Sequence, residues 1–196
     1  MVANMRTHWR PTAVFMVRAL LGTRPRLALD LIRFTTGRRE DAVRLGPQHI
    51  RDGRVKFVQA KNEHRYRVEI DIPLHPELAE SIAARFPDKV PKEGTDHGMI
   101  SLTFLRTEYG KPYTAAGFGN AMRDWCDAAG LPHCSAHGIR KSTLTQMAGK
   151  GATSHELKAV GGHRSLKQVE VYTEEADKKE LADAAFAKWQ GAKNRT

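Results

Sequence analysis

The sequence has no hydrophobic run as long as the roughly 18 residues that a membrane-spanning helix needs. An apolar stretch near the N-terminus, 13–17, is interrupted by Arg18 and is shorter than the roughly 7–15 apolar residues of an export signal. Cysteine is also scarce, because Cys126 and Cys134 are too few for a disulfide framework and lack the paired spacing of a zinc site. These absences predict a cytoplasmic protein with no membrane partner.

Acidic residues are fewer than basic ones. The 196 residues include 32 Lys and Arg against 22 Asp and Glu, so the formal net charge is +10. A hydrophobic content of 40% is sufficient for a globular core and argues against a disordered chain. A positive surplus of this size is typical of proteins that bind nucleic acid, although many basic proteins bind nothing specific.

The spacing of apolar residues predicts the fold class. Helical periodicity predicts helices in the first two thirds of the chain at 11–21, 26–34, 38–45, 76–86 and 114–129. Alternation at Val55 and Phe57, and again from Tyr66 to Ile72, predicts two antiparallel strands with residues 61–64 at the tip. The segment 135–188 predicts short helices, broken by glycines at 149–151 and 161–162. We therefore expect a mainly α fold with a small antiparallel β-sheet (α+β).

Reactive side chains are concentrated in the last third of the chain. His137 and Arg140 are three residues apart, so on a helix that begins near Ser135 they share a face and form a grip for an anion. His163 follows a glycine pair, and Tyr172 comes nine residues later. Taken singly, each residue has an ordinary interpretation. His137 would be a helix cap and Arg140 a solvated arginine. His163 would be a loop histidine and Tyr172 a half-buried core tyrosine.

Four separated motifs resemble those of tyrosine recombinases, the phage-integrase family. Residues 36–45, Thr-Gly-Arg-Arg-Glu-Asp-Ala-Val-Arg-Leu, look like the first arginine motif of that family, and 135–142, Ser-Ala-His-Gly-Ile-Arg-Lys-Ser, resemble its His-x-x-Arg motif. Gly162-His163 and 171–173, Val-Tyr-Thr, resemble its closing motifs, while 109–132 are similar to the region that links the motifs. The order of these motifs and the spacing between them both agree with the family pattern. The resemblance covers about residues 24–178.

The first motif departs from the family pattern, which has one residue between its glycine and its arginine. Counting back from Asp41, at the acidic position of the motif, selects Arg38, whereas counting forward from Gly37 selects Arg39. We favour Arg38 and keep Arg39 as the alternative. Lys61 matches the β-hairpin lysine of the family, and its alternative interpretation is an ordinary exposed lysine at a hairpin tip. Only about 20 residues precede the matching region, so the resemblance implies that the family's N-terminal core-binding domain is not included.

The resemblance implies an enzyme that cleaves and rejoins DNA strands through a 3′-phosphotyrosyl intermediate, without a metal or other cofactor. Its implied catalytic residues are Arg38, Lys61, His137, Arg140, His163 and Tyr172. Tyr172 is the expected nucleophile, and the two arginines with His163 would hold the non-bridging phosphate oxygens. His137 would accept the tyrosine proton, and Lys61 would protonate the departing 5′ oxygen.

The expected partners are double-stranded DNA, with Arg39, Lys141 and Arg164 as contacts, and further copies of the chain assembled on it. The expected organisation is an N-terminal helical lead-in (1–23), a catalytic domain (24–178) and a C-terminal helix or tail (179–196). That tail is either exchanged between subunits or folded back on its own core. Two other functions stay open: a weakly active or inactive DNA-binding remnant of an integrase, and a type IB topoisomerase-like strand transferase. Either a bacterium or a phage would encode the protein.

Overall fold

A computed structural model of the chain describes residues 20–61, 66–86 and 102–193. Seven α-helices are present in these ranges: α1 (Arg24–Thr35), α2 (Arg39–Ala42), α3 (Pro76–Arg85), α4 (Ala115–Ala128), α5 (Ala136–Ala148), α6 (Ser154–Gly161) and α7 (Lys167–Lys193). Three strands, β1 (Ile50–Arg51), β2 (Arg54–Val58) and β3 (Glu69–Pro73), form one antiparallel sheet in the order β1-β2-β3. The expected fold class, mainly α with a small antiparallel sheet, is confirmed.

The chain forms two compact units, Met1–Thr143 and Leu144–Thr196. The core of the first unit joins α1, the inner face of the sheet, α3 and α4. Its fully buried large side chains include Leu27, Leu29, Leu31, Ile32, Ile70, Leu78, Phe118 and Met122. The core of the second unit joins the end of α5 with α6 and the start of α7, through Leu144, Ala148, Leu157 and Val169.

Residue types at the helix ends explain where α1 and α3 begin. Thr23 precedes α1, and its hydroxyl oxygen accepts a hydrogen bond from the backbone N–H of Arg26 at 3.5 Å. His75 precedes α3, and its Nδ1 accepts from the N–H of Glu77 at 3.2 Å. A proline lies in the first turn of each helix, where its missing N–H has no partner to lose.

The hairpin of β2 and β3 has the register that the alternation requires. Val55 pairs with Ile72 and Phe57 with Ile70, so all four apolar side chains lie on the buried face. The turn from β1 to β2 is Asp52-Gly53, and both residues have positive φ, which is the geometry of a tight hairpin turn. The end of β2 is thereby held against the core, and the residues that follow it are placed beside α2.

Several predicted boundaries differ from the structure. The helix expected at 38–45 is limited to α2, and the second strand begins at Glu69 rather than Tyr66, which is exposed. The breaks at 149–151 and 161–162 are present, but the last helix is not short, because α7 continues for 27 residues to Lys193. Three predicted features lie outside the described residues. They are the helix at 11–21 apart from its last two residues, residues 62–64 of the hairpin tip, and the 1–19 part of the lead-in.

Within the described ranges, no helix combines the length and the apolar composition that crossing a membrane requires. The division of the chain at residues 24 and 178 stays a prediction.

Candidate active site

The loop between α1 and α2 holds Arg38. The backbone N–H of Arg38 donates to Oδ2 of Asp41 at 2.8 Å, which fixes the start of α2. The guanidinium group of Arg38 extends the other way, and its Nη1 donates to Oε1 of Gln59 at 2.8 Å. Gln59 is only 2% exposed and directly follows β2. The side chain of Arg38 is therefore directed to the end of the central strand.

Asp41 connects the loop between α1 and α2 with the residues that follow β2, through hydrogen bonds to their backbones. Its carboxylate is 2% exposed, and Oδ1 accepts a hydrogen bond from the N–H of Ala60 at 2.7 Å, while Oδ2 accepts from Arg38. Hydrogen bonds to a charged acceptor are stronger than those between neutral groups. Asp41 therefore holds the residue before Lys61 next to the loop that carries Arg38.

Helix α5 brings the His-x-x-Arg motif to this loop. Ser135 caps the helix, and its Oγ accepts from the N–H of Gly138 at 3.2 Å. His137 lies exposed in the first turn, whereas Arg140 is 5% exposed and donates from Nη1 to the carbonyl oxygen of Thr36. The two motifs, more than 100 residues apart in sequence, are thus joined by a buried hydrogen bond.

Thr36 has a left-handed backbone, with φ of 48° and ψ of 20°, at the C-terminal end of α1. A β-branched residue rarely adopts this conformation, and it costs about 1–3 kcal/mol when it does. The preceding turn is stabilised by Thr35, whose hydroxyl donates to Leu31 and accepts from the N–H of Gly37 at 3.1 Å. Strain at the residue that accepts the hydrogen bond from Arg140 suggests a functional site.

An open cleft of about 960 Å³ in the first unit is lined by three of the predicted residues: Arg38, Lys61 and His137. Its other polar lining includes Arg44, Gln48, Glu40, Thr103, Tyr113 and Thr114. Burial opposes the ionisation of Glu40, but the hydrogen bond from Arg39 and the charges of both arginines outweigh it and lower the pKa of this carboxyl. The cleft combines several cationic donors with an accessible mouth, as a site for phosphate oxygens requires.

The side chain of Arg39 takes a different direction from that of Arg38. Its Nε donates to Oε1 of Glu40 at 2.8 Å, and the side chain is 52% exposed. The guanidinium group passes close to Gly119 of α4, where even a Cβ would lie 3.2 Å from Nη1. Arg38 lines the cleft, and Arg39 is not among its lining residues.

The second unit brings His163 and Tyr172 together. Their ring centroids lie 6.4 Å apart, with 54° between the ring planes. Gly162 ends α6 with φ of 60°, and the ring of His163 lies against Gly161 so closely that a Cβ there would overlap it. Tyr172 is half-buried on α7, where it packs against the core of the second unit.

The predicted DNA contacts in α5 and beyond it are exposed. These are Lys141 and Arg164, and the backbone N–H of Arg164 donates to Oε1 of Gln168 at 3.3 Å.

The distal part of α7 exposes large apolar side chains, namely Leu181, Phe186 and Trp189. Among the described residues, no three His, Cys, Asp or Glu side chains form a group that could hold a metal ion.

Sequence reasoning gave no role to Gln59 or Thr36. Gln59 continues the alternation of Val55 and Phe57, so the sequence places a polar side chain on the apolar face of β2. A buried amide needs a hydrogen-bond partner, and this requirement was the available signal. No sequence signal marks Thr36. Its carbonyl oxygen accepts the hydrogen bond from Arg140 because of where α5 lies in the fold.

The comparisons with known proteins agree with this mainly helical fold. The sequence model of the phage integrase family matches residues 14–179, so the chain belongs to the phage integrase family, whose members are tyrosine recombinases. No curated protein matches the sequence.

Solved structures of similar fold include three recombinases. The XerA recombinase has a TM-score of 0.69 at 13% identity, over 90% of this chain and 62% of that one. A lambda integrase dimer bound to a COC′ core site has a TM-score of 0.61 at 17% identity, over 88% of this chain and 58% of that one. The Tn1549 transposon integrase in complex with transposon right end DNA has a TM-score of 0.63 at 13% identity, over 92% of this chain and 64% of that one. The chain thus spans less than two thirds of each of these structures.

Proposed function

We propose that this chain is the catalytic domain of a site-specific DNA recombinase, which cleaves and rejoins DNA strands through a 3′-phosphotyrosyl intermediate. The observation that carries the proposal is the meeting of Arg38, Lys61 and His137, from three separate elements, at one open cleft. Family membership supports it, as does the hydrogen bond that links Arg140 to the loop of Arg38. Double-stranded DNA is the substrate, and the site of action is the cytoplasm of a bacterial cell.

The two arginines supply the main electrostatic contribution. The transition state of phosphodiester cleavage gathers negative charge on the non-bridging oxygens, and preorganised cationic donors stabilise that charge without a metal. Arg38 and Arg140 already have neutral oxygen partners that fix their orientation. His163 is the further donor in this proposal.

Tyr172 supplies the nucleophile. Its hydroxyl oxygen attacks phosphorus, the bond from phosphorus to the 5′ oxygen breaks, and the DNA 3′ end becomes linked to the tyrosine. His137 accepts the tyrosine proton, and Lys61 donates a proton to the departing 5′ oxygen. Attack by a 5′ hydroxyl on the phosphotyrosine reverses these steps and reforms a phosphodiester, so that no ATP is consumed.

A trapping experiment tests the nucleophile. The full chain is incubated with a pool of random-sequence duplexes that each carry one nick, because loss of the short fragment beyond the nick prevents religation. We expect a covalent adduct that resists denaturation, and sequencing of the trapped DNA identifies the target. Tyr172→Phe should abolish the adduct, while the matched variant Tyr109→Phe, at an 81% exposed position, should retain it. An adduct in Tyr172→Phe refutes the assignment, and DNA binding without any adduct in the wild type supports the inactive remnant.

The same assay decides between the two adjacent arginines. Arg140→Ala and Arg38→Ala should each slow adduct formation by at least about a hundredfold, since loss of one transition-state donor costs about 3 kcal/mol. Arg39→Ala should weaken DNA binding with a much smaller effect on cleavage. An inactive Arg39→Ala protein beside an active Arg38→Ala protein would show that Arg39 is the motif arginine.

The exposed distal part of α7 supports assembly on DNA. Leu181 and Trp189 lie on this segment and are 69% and 58% exposed, so the helix presents apolar surface for another subunit. We expect light scattering to show self-association that depends on DNA and is lost when the chain is truncated after Thr173. A monomer in all conditions contradicts exchange of this segment.

A further inference from the structure

Gln59 is a polar residue at a buried position that apolar residues usually fill. It follows Val55 and Phe57 on the buried face of the hairpin and is 2% exposed. Burial of an amide is unfavourable unless its polar atoms are hydrogen-bonded. Its Oε1 accepts from Nη1 of Arg38 at 2.8 Å, across 21 residues of sequence. The amide therefore fixes one edge of the guanidinium group and leaves its remaining N–H donors for a ligand in the cleft.

The charge of the acceptor distinguishes Arg38 from its neighbour. Arg39 donates to the carboxylate of Glu40 at 2.8 Å, which offsets part of its positive charge. Arg38 donates to an uncharged amide, and the carboxylate of Glu40 acts on Arg38 through its charge and not through a side-chain hydrogen bond. An amide can orient a guanidinium group without adding a negative charge beside it, so the positive charge of the guanidinium group still acts on a phosphate oxygen.

We propose that Gln59 is a positioning residue that holds Arg38 in the phosphate site without neutralising it; this inference rests on the proposed recombinase function. Asp41 positions the backbone of the same loop, through the N–H groups of Arg38 and Ala60. Gln59 positions the functional group itself. A carboxylate at residue 59 would satisfy the same hydrogen bond and still impair the site.

Three variants test the proposal. Gln59→Met has a similar size and lacks the acceptor, whereas Gln59→Glu retains an acceptor and adds a negative charge. Asn120→Asp, at an exposed position of α4, adds the same charge away from the cleft and serves as the control. Thermal unfolding is measured for each protein, so that rates are compared only between folded proteins.

The first readout is single-turnover adduct formation, with the maximal rate separated from the protein concentration at half-maximum. Gln59→Met should lower the maximal rate by about 10- to 100-fold, as expected for a lost hydrogen bond to a charged group, and leave duplex affinity within about threefold. Gln59→Glu should lower the rate at least as much and also weaken binding, with a log–log salt slope smaller by about 0.9. Asn120→Asp should resemble the wild type.

A double-mutant cycle separates positioning from a merely structural role. In an Arg38→Ala background the donor of the hydrogen bond is absent, so Gln59→Met should reduce the residual rate by less than about threefold. An equal loss in both backgrounds overturns the proposal, because it shows that residue 59 acts independently of Arg38. Wild-type rates in either folded Gln59 variant also overturn it.

A readout without cleavage keeps this inference distinct from the proposed function. In protein labelled with ¹⁵N-arginine, titration with inorganic phosphate should shift the Nε–H resonance of Arg38 in the wild type. The apparent affinity should fall about tenfold in Gln59→Glu. If the wild type forms no adduct but the titrations differ in this way, the recombinase proposal fails and the role of Gln59 stands. Identical titrations in the wild type and Gln59→Glu refute the role of Gln59 whatever the cleavage result.

Discussion

Replacement of Asp41 by alanine should be among the more destabilising single changes in the first unit. The carboxylate is 2% exposed and accepts backbone hydrogen bonds from Arg38 at 2.8 Å and Ala60 at 2.7 Å. A hydrogen bond to a charged group contributes about 1.5–3 kcal/mol, so the upper range for the pair is about 3–6 kcal/mol. Because both donors are only partly buried and water can reach them in the variant, we expect a loss of about 3 kcal/mol.

Graded substitutions make this expectation testable. Asp41→Asn retains one acceptor oxygen and should lose about half as much stability as Asp41→Ala. Glu40→Ala is the matched control on the same helix, since Glu40 forms an ion pair with Arg39 in which both side chains are substantially exposed, and such pairs contribute less than about 1 kcal/mol.

Urea unfolding followed by circular dichroism measures the three free energies. The expected order of loss is Asp41→Ala, then Asp41→Asn, then Glu40→Ala, with the slope in urea unchanged. If Asp41→Ala unfolds within about 0.5 kcal/mol of Glu40→Ala, the two hydrogen bonds do not hold the loop to the end of β2, and the reasoning is wrong.

Three further predictions concern other parts of the fold. Burial raises the pKa of Asp30 above its ordinary 3.8 despite the ion pair that opposes the shift, so the contribution of this residue to stability should fall as the pH rises from 3.8 through the folded-state pKa. Thermal unfolding should therefore show the wild type losing stability relative to Asp30→Asn over this range, and parallel curves would contradict this. Gly161→Ala should displace the ring of His163 and slow adduct formation by about tenfold or more, unlike Gly149→Ala, where the nearest atom is 3.5 Å from the added Cβ; equal rates in the two variants would refute it. Burial raises the pKa of Cys126 to about 11, so iodoacetamide near neutral pH should label it only in urea, as mass spectrometry can check, and rapid labelling of the folded protein would be inconsistent with that burial.

Local patterns were sufficient for most of the helices and for the hairpin. The helix predicted at 26–34 is α1, and the one at 114–129 is α4, because period and flanking turn residues both depend on neighbours in sequence. Strand β1 was not predicted, since two residues carry no alternation. The length of α7 was not predicted either. The pattern predicts short helices over 135–188, whereas α7 is one continuous helix whose distal residues are exposed.

The residue types in the motifs and their order determined the family, and the family model confirms it over residues 14–179. What only the tertiary structure decided is how the motif side chains are held. Arg38 meets Gln59 across 21 residues, Asp41 meets Ala60 across 19, and Arg140 meets Thr36 across 104. Contacts of this kind leave no period in the sequence, because they depend on the packing of the helices and the sheet, and on which buried polar atoms then come within hydrogen-bond distance.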